Sequence, residues 1–442
     1  MAALRNPIRL IPLLFLVAIG IGTIVLSLPI ATSDGTRAPV LTALFTATSA
    51  VAVTGLVVVD TPTYWSAFGQ VAIMVMFQIG GLGIMTAATL LGLMAGRGFG
   101  LRERLATQVE RGRLNLLAAP MVIRMILAIT ITVELLVAAV LAIRFATTWQ
   151  MPAGEAAWHG LFHAVSAFNN AGFSTFSDSL MSFQGDAVVL TAIALAVVVS
   201  ALGFPVMEDW RGHGWRWRSW TLHSRITVAG TILLLVTGFG CLLLMEWSNP
   251  ETLGPMPVAG KLLNAGFHAV MPRTAGFNSL DMGAMREETL VVNYVLMFIG
   301  GGSAGTAGGI KITTFMVLLA VVMAEVLSRR DAAMFGRRLG HGIERQALTV
   351  ASLALLLVLI ATMFMASVTR LPLQDVLFEA ISAFATVGLS TGITADLPPS
   401  ALVVLIILMF VGRVGTITVA TALALTATER RYRYPEENPI VG

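Results

Sequence analysis

The four stretches that decide the fold read Thr48-Ser49-Ala50-Val51-Ala52-Val53-Thr54-Gly55-Leu56, Ser166-Ala167-Phe168-Asn169-Asn170-Ala171-Gly172-Phe173, Ala269-Val270-Met271-Pro272-Arg273-Thr274-Ala275-Gly276-Phe277 and Ser382-Ala383-Phe384-Ala385-Thr386-Val387-Gly388-Leu389. Each is a short apolar segment that ends in a turn of small residues containing one glycine. The four glycines lie 117, 104 and 112 residues apart. A phenylalanine precedes each glycine by nine or ten residues, and a proline precedes it by 16 to 20. This period predicts a structural unit that is repeated four times along the chain.

The composition around these stretches is that of a membrane protein. Of the 442 residues only 12% are charged and 56% are hydrophobic, whereas soluble proteins have about 25% charged residues. This excludes a soluble enzyme, a disordered protein and a secreted disulfide scaffold. Cys241 is the only cysteine, so neither an intrachain disulfide nor a thiolate metal cluster can form. The basic isoelectric point near 9.7 indicates arginine-rich cytoplasmic loops rather than nucleic-acid binding.

Eight apolar stretches are long enough to cross the ~30 Å hydrocarbon core of a bilayer. They lie near residues 8–31, 69–96, 121–145, 187–207, 225–247, 290–325, 346–369 and 400–427. The first follows Arg5 and Arg9 and has features of a signal peptide, but its length and its place in the repeat favour a membrane helix. The sequence therefore predicts an all-α polytopic membrane protein with eight transmembrane helices.

The sixth stretch is too long for one simple span. Its centre, residues 300–309, contains six glycines, and glycine costs about 1 kcal/mol per residue in a helix. Non-helical backbone at membrane depth survives only where protein or a water-filled cavity surrounds it. We therefore expect a break in the helix at 300–309 and a loop that lines an aqueous path.

The arginines predict the orientation. An even number of spans places both termini on one side, and that side holds 20 of the 28 basic residues, against six, including Arg273, on the other. The positive-inside rule makes the 20-residue side cytoplasmic. The outer side carries 13 acidic residues. They form either a negative vestibule that concentrates cations or merely solvated loops.

The repeated unit is a helix, a half-helix, a glycine turn and a second helix. Four units, at 1–113, 114–219, 220–340 and 341–442, would enclose one pseudo-fourfold pore, with a broken second helix in the third and a cytoplasmic tail after the fourth. A half-helix that stops at mid-membrane directs its negative dipole end at the centre, where it favours a cation. Glycine then permits the torsions that turn carbonyl oxygens inward to replace an ion's hydration shell. Neutral, hard oxygens suit alkali metal ions.

These residues resemble the Trk/Ktr/HKT superfamily of potassium transporters, and most closely the Ktr membrane subunit. The resemblance covers almost the whole chain. Besides the four turns it rests on Phe77-Gln78-Ile79-Gly80-Gly81-Leu82-Gly83, Gly203-Phe204-Pro205, Gly308-Gly309-Ile310-Lys311 and Gly412-Arg413-Val414-Gly415. The third turn departs from the pattern: it lacks the serine of the other three, is one residue shorter from Phe267 to its glycine, and carries Pro272 in place of a smaller polar residue. In the last span, Thr416 stands where members of the family often have proline.

The resemblance implies the roles of two sets of residues. Carbonyls just before and at the four glycines would form a potassium filter, and loop 300–309 would gate the pore below it. The implied ion-binding residues are Val53, Thr54, Gly55, Asn170, Ala171, Gly172, Thr274, Ala275, Gly276, Thr386, Val387 and Gly388. The implied gate consists of Gly301, Gly302, Ser303, Ala304, Gly305, Thr306, Ala307, Gly308, Gly309, Lys311 and Arg413.

The resemblance also implies partners and a location. It implies a homodimer in the cell membrane, seated on a cytosolic ring of nucleotide-binding regulatory subunits. Potassium would be the transported ion, no covalent cofactor is expected, and a role for sodium as an activator or a co-permeating ion stays open. We therefore expect potassium uptake across the cytoplasmic membrane.

Several polar residues fall within the apolar spans. Lys311 and Arg413 each cost about 2.5–3.5 kcal/mol to insert at the bilayer centre. Either Arg413 restrains the glycine-rich loop through its carbonyls, with Lys311 beside it, or both side chains snorkel or cap broken helix ends. Glu134 is interpreted as a helix-packing hydrogen-bond partner rather than a coupling site. Asn169 and Asn170 are interpreted as bracing the filter from behind rather than facing ions.

An enzyme and an ion-coupled carrier are the two alternatives to a pore. An enzyme is disfavoured because the glycine run that ends at Lys311 is interrupted by Ile310 and lies in an apolar span, unlike a phosphate-binding loop. An ion-coupled carrier for an organic solute is the alternative, but such carriers use inverted repeats around a midplane site. Here all four repeats share one orientation, which favours a pore.

Overall fold

The computed structural model describes residues 7–94 and 119–415. Within these ranges the chain is mostly helical, with one antiparallel pair of two-residue strands, β1 (Ala333–Met334) and β2 (Arg337–Arg338). The helices are α1 (Pro7–Leu26), α2 (Val40–Val51), α3 (Thr61–Tyr64), α4 (Ala67–Met94), α5 (Ala119–Thr147), α6 (Ala153–Asn169), α7 (Ala187–Leu202), α8 (Phe204–His213), α9 (Leu222–Glu246), α10 (Val258–Val270), α11 (Glu287–Phe298), α12 (Ile312–Val326), α13 (His341–Val368), α14 (Leu373–Ala385) and α15 (Pro399–Phe410).

Several of these helices can cross a membrane. In the described part of the chain, α4, α5, α9 and α13 are long and apolar enough to do so alone, and the bent pair of α7 and α8 would be a fifth span. Shorter apolar helices accompany them in α1, α2, α12 and α15. Such a set of helices is that of a polytopic membrane protein, as the composition predicts.

The predicted fourth span is not continuous. The sequence predicts one helix over 187–207, but α7 ends at Leu202 and α8 turns away from it by 91°. Gly203 sits at the corner with a φ of 85°. Pro205 has no N–H to donate to the carbonyl of Ala201, one turn earlier, so the helix cannot continue unchanged.

The glycine-rich stretch interrupts the helix in the sixth apolar segment. Helix α11 ends at Phe298 and α12 begins at Ile312, and residues 299–311, hereafter the intramembrane loop, lie between them. Ile299 and Ile310 form an isolated parallel bridge across the base of this loop. The glycine run therefore folds back on itself instead of continuing either helix.

Other expectations fall outside the described residues. These are the far ends of the second and eighth spans, the arginines between 97 and 113, Thr416, and the basic residues of the C-terminal tail.

Four short helices, α2, α6, α10 and α14, occupy equivalent places in the four repeats of the sequence. A proline is the residue before each of them, at positions 39, 152, 257 and 372, where its missing N–H leaves no helical hydrogen bond unmade. The phenylalanine that recurs at nine or ten residues before the glycine is at most 3% exposed in all four: Phe45, Phe162, Phe267 and Phe378. These side chains anchor the short helices in the core of the protein.

The glycines of α4 allow two of these helices to approach closely. A Cβ atom on Gly80 would lie 2.1 Å from the carbonyl oxygen of Val51, at the end of α2. A Cβ atom on Gly81 would lie 2.0 Å from the Oδ1 atom of Asn169, at the end of α6. Gly83, in the same motif, has nothing within 4 Å.

This difference predicts unequal effects of alanine within one motif. Gly80→Ala should lower the stability of the protein by about 1–3 kcal/mol, because it forces α4 away from the end of α2. Gly83→Ala is the matched control and should leave stability equal or about 1 kcal/mol higher, because alanine favours a helix. Thermal unfolding in detergent measures both. Equal melting temperatures for the two variants would contradict the close packing at Gly80.

Candidate functional site

The four glycine turns meet at one place and form a closed ring. A Cβ atom on Gly55 would lie 2.5 Å from the carbonyl oxygen of Ala171, and one on Gly172 would lie 2.9 Å from that of Ala275. The series continues from Gly276 to Val387 at 2.4 Å and from Gly388 back to Thr54 at 2.2 Å. Each glycine therefore faces the carbonyl that precedes the glycine of the next turn, and the fourth turn returns to the first. A side chain at any of these positions would collide with backbone.

The backbone of each turn alternates through the left-handed region. The glycines have φ values of 93°, 70°, 75° and 91° in chain order. The residue two positions earlier is also left-handed in every turn, although none is glycine: φ is 57° at Val53, 59° at Asn170, 74° at Thr274 and 51° at Thr386. Non-glycine residues held in this region are uncommon and store strain that the surrounding structure must offset. Four in equivalent places indicate a function for this backbone.

Serine residues hold three of the turns. The N–H of the residue before the glycine donates to the carbonyl of a serine in the last turn of the short helix. These bonds join Thr54 to Ser49 at 2.7 Å, Ala171 to Ser166 at 2.8 Å and Val387 to Ser382 at 2.8 Å. The N–H groups of Gly55 and Gly388 donate further to the serine hydroxyls, at 3.1 and 3.2 Å.

The third turn reaches the same conformation without a serine. Ala275 and Gly276 both donate their N–H groups to the carbonyl of Met271, at 3.1 and 3.4 Å. The carbonyl of Met271 thus replaces both the carbonyl and the hydroxyl of the missing serine. Met271 lies one residue nearer the glycine than those serines do, which matches the shorter spacing from Phe267 to Gly276. The departure in sequence therefore leaves the ring of four intact.

Ten of the twelve turn residues are buried, Gly172 and Gly388 are half-buried, and the carbonyl oxygens of all twelve lack donors in the described part of the chain. No donor in the described residues bonds the carbonyl oxygens of the four turns. These are the carbonyls of residues 53–55, 170–172, 274–276 and 386–388. The residues that precede the glycines are at most 1% exposed. A buried carbonyl without a partner costs about 1–3 kcal/mol. The helices α2, α6, α10 and α14 also end here, and each brings about half a negative charge from its dipole. Oxygens without donors beside four helix ends are chemically suited to a cation.

The intramembrane loop is held by the broken end of α7. Gly302 donates its N–H to the carbonyl of Ala201 at 2.7 Å, the carbonyl that Pro205 leaves free. Thr306 donates to the carbonyl of Ser200 at 3.4 Å, and Phe204 donates back to Ala304 at 3.3 Å. The Gly203-Phe204-Pro205 motif therefore provides the backbone groups that hold the loop.

The loop also packs directly against the turns. A Cβ atom on Gly308 would lie 2.0 Å from the hydroxyl oxygen of Thr386, and one on Gly300 would lie 3.4 Å from the Cγ2 atom of Thr274. The hydroxyl of Thr306 donates to the carbonyl of Phe168, at the end of α6, at 3.4 Å. Five loop glycines would place a Cβ within 3 Å of another atom: Gly300, Gly301, Gly302, Gly305 and Gly308. The glycine content thus follows from the narrow space.

Two positively charged side chains donate hydrogen bonds to adjacent carbonyls of this loop. The Nη1 atom of Arg413 donates to Thr306, and the Nζ atom of Lys311 donates to Ala307 at 2.5 Å. Arg413 is 2% exposed, and its Nε and Nη2 atoms have no partner among the described residues. Both side chains therefore hydrogen-bond the loop through its carbonyls, and their role in a gate stays a prediction.

Comparison with known proteins identifies the family. The sequence matches the TrkH family, described as cation transport protein, over residues 14–432. The chain belongs to this family. The resemblance seen in the motifs is therefore confirmed, and the family is one of cation transporters rather than enzymes.

Relatives of known name match this chain along almost their whole length. It is 39% identical to the Ktr system potassium uptake protein B of Bacillus subtilis, over 99% of this chain and 97% of that protein. It is 36% identical to the potassium/sodium uptake protein NtpJ of Enterococcus hirae, over 99% and 97%. The crystal structure of the potassium transporter TrkH from Vibrio parahaemolyticus shares the fold, with a TM-score of 0.74, 19% identity, and coverage of 96% of this chain and 85% of that one.

The structure also brings together polar residues that sequence reasoning missed. Glu379, on α14, is fully buried and accepts hydrogen bonds from Ser390, from the Thr394 hydroxyl at 2.9 Å and from the Thr391 N–H at 3.3 Å. The equivalent pair in the second repeat is His163 with Ser174, at 2.9 Å. Each pair ties the short helix to the segment that leaves the turn. The shared spacing, nine residues before the glycine and two after it, is the signal that sequence reasoning missed.

Glu134 lies behind the second turn. It accepts from the Nε2 atom of Gln78 at 3.4 Å and from the Nδ2 atom of Asn169 at 3.2 Å, so it joins α4, α5 and α6. Asn169 thus braces the turn from behind. Asn170 differs, because its side chain bonds within the ring, to Thr274 at 3.3 Å.

Arg273, one of the basic residues counted on the outer side, is 3% exposed. Its guanidinium donates to the carbonyl and hydroxyl oxygens of Thr231, both at 3.4 Å. Arg273 directly precedes Thr274, which is part of the ring, so the backbone places the Arg273 side chain inside the protein.

The Glu379 contacts predict a stability effect. Glu379→Ala would leave three donors without this acceptor, the buried Thr394 hydroxyl and the half-buried groups of Ser390 and Thr391, and should lower the stability by about 1–3 kcal/mol. Glu379→Gln keeps one acceptor oxygen and should lose less. Gln374→Ala, on the exposed face of the same helix, is the control and should change little. Thermal unfolding in detergent measures all three, and a Glu379→Ala melting temperature equal to that of the control would show that the brace is dispensable.

Proposed function

We propose that this chain is the membrane subunit of a potassium uptake system and conducts K⁺ through the ring of four glycine turns. The observation that carries this proposal is the cyclic contact of the four glycines with the carbonyls of the next turn. The curated relatives support potassium as the ion, since the Bacillus subtilis and Vibrio alginolyticus proteins are both named Ktr system potassium uptake protein B. The second is 34% identical over 98% of this chain.

In this proposal the filter consists of the carbonyls of the residues before and at each glycine. They are Val53, Thr54, Gly55, Asn170, Ala171, Gly172, Thr274, Ala275, Gly276, Thr386, Val387 and Gly388. Oxygens without protein donors replace the water lost by the entering ion. The four helix ends add a negative field at the same point. The inside-negative membrane potential then draws K⁺ inward with about 2.3 kcal/mol per 100 mV.

The gate in this proposal is the intramembrane loop. Residues 301–309 lie against the turns on the side of the short-helix ends, where they would obstruct the path of an ion. Arg413 and Lys311 hold two loop carbonyls and add positive charge to the path. To open, the loop must break two contacts. One is the bond from its Gly302 N–H to the Ala201 carbonyl, and the other is the bond from Arg413 to its Thr306 carbonyl.

The remaining features of the proposal concern assembly. Eight membrane spans in four repeats place both termini in the cytoplasm, with the 13 acidic residues outside. The protein would act as a homodimer on a cytosolic nucleotide-binding ring, by analogy with the Ktr and Trk systems. Sodium is a candidate activator or second ion, since a relative is named for both potassium and sodium.

The alternative, a carrier for an organic solute, requires a cavity at mid-membrane. Neighbouring turns approach so closely that a Cβ atom on any of the four glycines would lie within 3 Å of the next turn's backbone. We expect a path lined by such closely packed backbone to favour a bare ion over an organic solute.

Substitution of the ring glycines tests the filter. Gly→Ser at position 55, 172, 276 or 388 should lower the preference for K⁺ over Na⁺ by about tenfold, or about 1.4 kcal/mol of differential binding, because the side chain displaces a carbonyl. Gly35→Ser is the control, since Gly35 has a φ of 72° but nothing within 4 Å. The readout is rubidium uptake into proteoliposomes with K⁺ or Na⁺ as competitor. Unchanged preference in all four variants would refute the filter.

A further inference from the structure

A chain of hydrogen bonds joins the ring to the intramembrane loop through one serine. The hydroxyl of Ser200 donates to the Oδ1 atom of Asn170 at 2.7 Å. The Nδ2 atom of Asn170 in turn donates to the Oγ1 atom of Thr274 at 3.3 Å. All three residues are at most 1% exposed. Asn170 and Thr274 are the left-handed residues of the second and third turns, so this chain fixes the two turns relative to each other.

The backbone of the same serine holds the loop. The carbonyl of Ser200 accepts the N–H of Thr306 at 3.4 Å, and the next carbonyl, of Ala201, accepts that of Gly302 at 2.7 Å. A Cβ atom on Gly305 would lie 2.8 Å from the Ser200 carbonyl oxygen. The last turn of α7 thus contacts the loop through its backbone and the ring through one hydroxyl.

The other two turns lack such a connection. The residue equivalent to Asn170 and Thr274 is Val53 in the first turn, which has no polar side-chain atom. In the fourth turn it is Thr386, whose hydroxyl has no partner in the described part of the chain. Among the described residues, side-chain hydrogen bonds therefore join the ring to the end of α7 only at the second and third turns, whereas the fourth turn meets the loop by packing at Gly308.

We propose that Ser200 is a positioning residue for ion selection, which transmits the position of the intramembrane loop to the second and third turns. This inference rests on the proposed filter and gate and adds the physical link between them. While the loop is seated, the Ser200 hydroxyl holds Asn170 and Thr274 in their left-handed conformations. When the loop leaves, the end of α7 shifts, the hydroxyl bond lengthens, and the ring relaxes at these two quarters. By linkage, an ion that tightens the ring also favours the seated loop.

The first test is Ser200→Ala in proteoliposomes. The measured quantity is the Na⁺ concentration that halves rubidium uptake divided by the K⁺ concentration that does so. Loss of one buried hydrogen bond should lower this ratio about fivefold. Thr362→Val is the matched control, since Thr362 is buried in α13 and its hydroxyl bonds only a carbonyl four residues earlier, at 2.8 Å. The control should keep the ratio. An unchanged ratio in Ser200→Ala would overturn the proposal.

Deletion of 303–308 separates coupling from simple loss of packing. With the loop shortened, Ser200→Ala should change the ratio no further, so the two changes should be non-additive. Additive effects would mean that Ser200 acts on the ring independently of the loop, which would overturn the link. If the four glycine variants keep selectivity, the filter itself fails. If they lose it while Ser200→Ala does not, only the link fails.

A second readout does not depend on ion flux. Ser303→Cys, made in a Cys241→Ala background, places one thiol on the partly exposed tip of the loop. Its rate of reaction with a maleimide should be about fivefold lower in K⁺ than in Na⁺, because the preferred ion stabilises the seated loop. Adding Ser200→Ala should remove this difference. Equal rates in the two ions with Ser200 present would overturn the proposal even if Ser200→Ala failed to fold.

Discussion

The structure depends on a ring of backbone carbonyls that have no hydrogen-bond donors among the described residues. In a bilayer such groups are costly unless a cation satisfies them, and they exist here only because the surrounding chain holds them in place. Serine and methionine residues at the ends of the short helices bind the N–H groups of the turns. Glycines of the turns allow four backbones to approach, and Gly80 and Gly81 of α4 allow the helices behind them to close in. Much of the sequence pattern follows from this one requirement.

The second level of the structure is the intramembrane loop. The break at Gly203-Phe204-Pro205 leaves the carbonyl of Ala201 without an intrahelical partner, and the loop takes it. Arg413 and Lys311 bind two carbonyls at the other end. The loop is therefore held by a small number of directional bonds together with its close packing against the turns. Because such bonds can be exchanged, they suit the proposed gate.

Much of this fold was accessible from sequence because glycine spacing and hydropathy are local signals. The four turns, the break at 300–309 and the membrane class all follow from them. The left-handed conformations of Val53, Asn170, Thr274 and Thr386 could not be predicted, since they depend on tertiary contacts that force non-glycine residues into that region. Burial of Arg273, the corner after Leu202 and the partners of Glu379 likewise depend on which elements meet. The missed pairs His163–Ser174 and Glu379–Ser390 show that aligning the repeats residue by residue would have recovered more of the site.

Tracer rubidium uptake into liposomes that contain the purified chain alone tests the central claim most directly. The competitors are potassium, sodium and a set of organic solutes, with a membrane potential that is negative inside. A ring of four carbonyl turns predicts uptake that potassium inhibits far more strongly than sodium and that organic solutes leave unchanged. Uptake that an organic solute accelerates, or that potassium and sodium inhibit equally, would contradict a potassium filter at this ring.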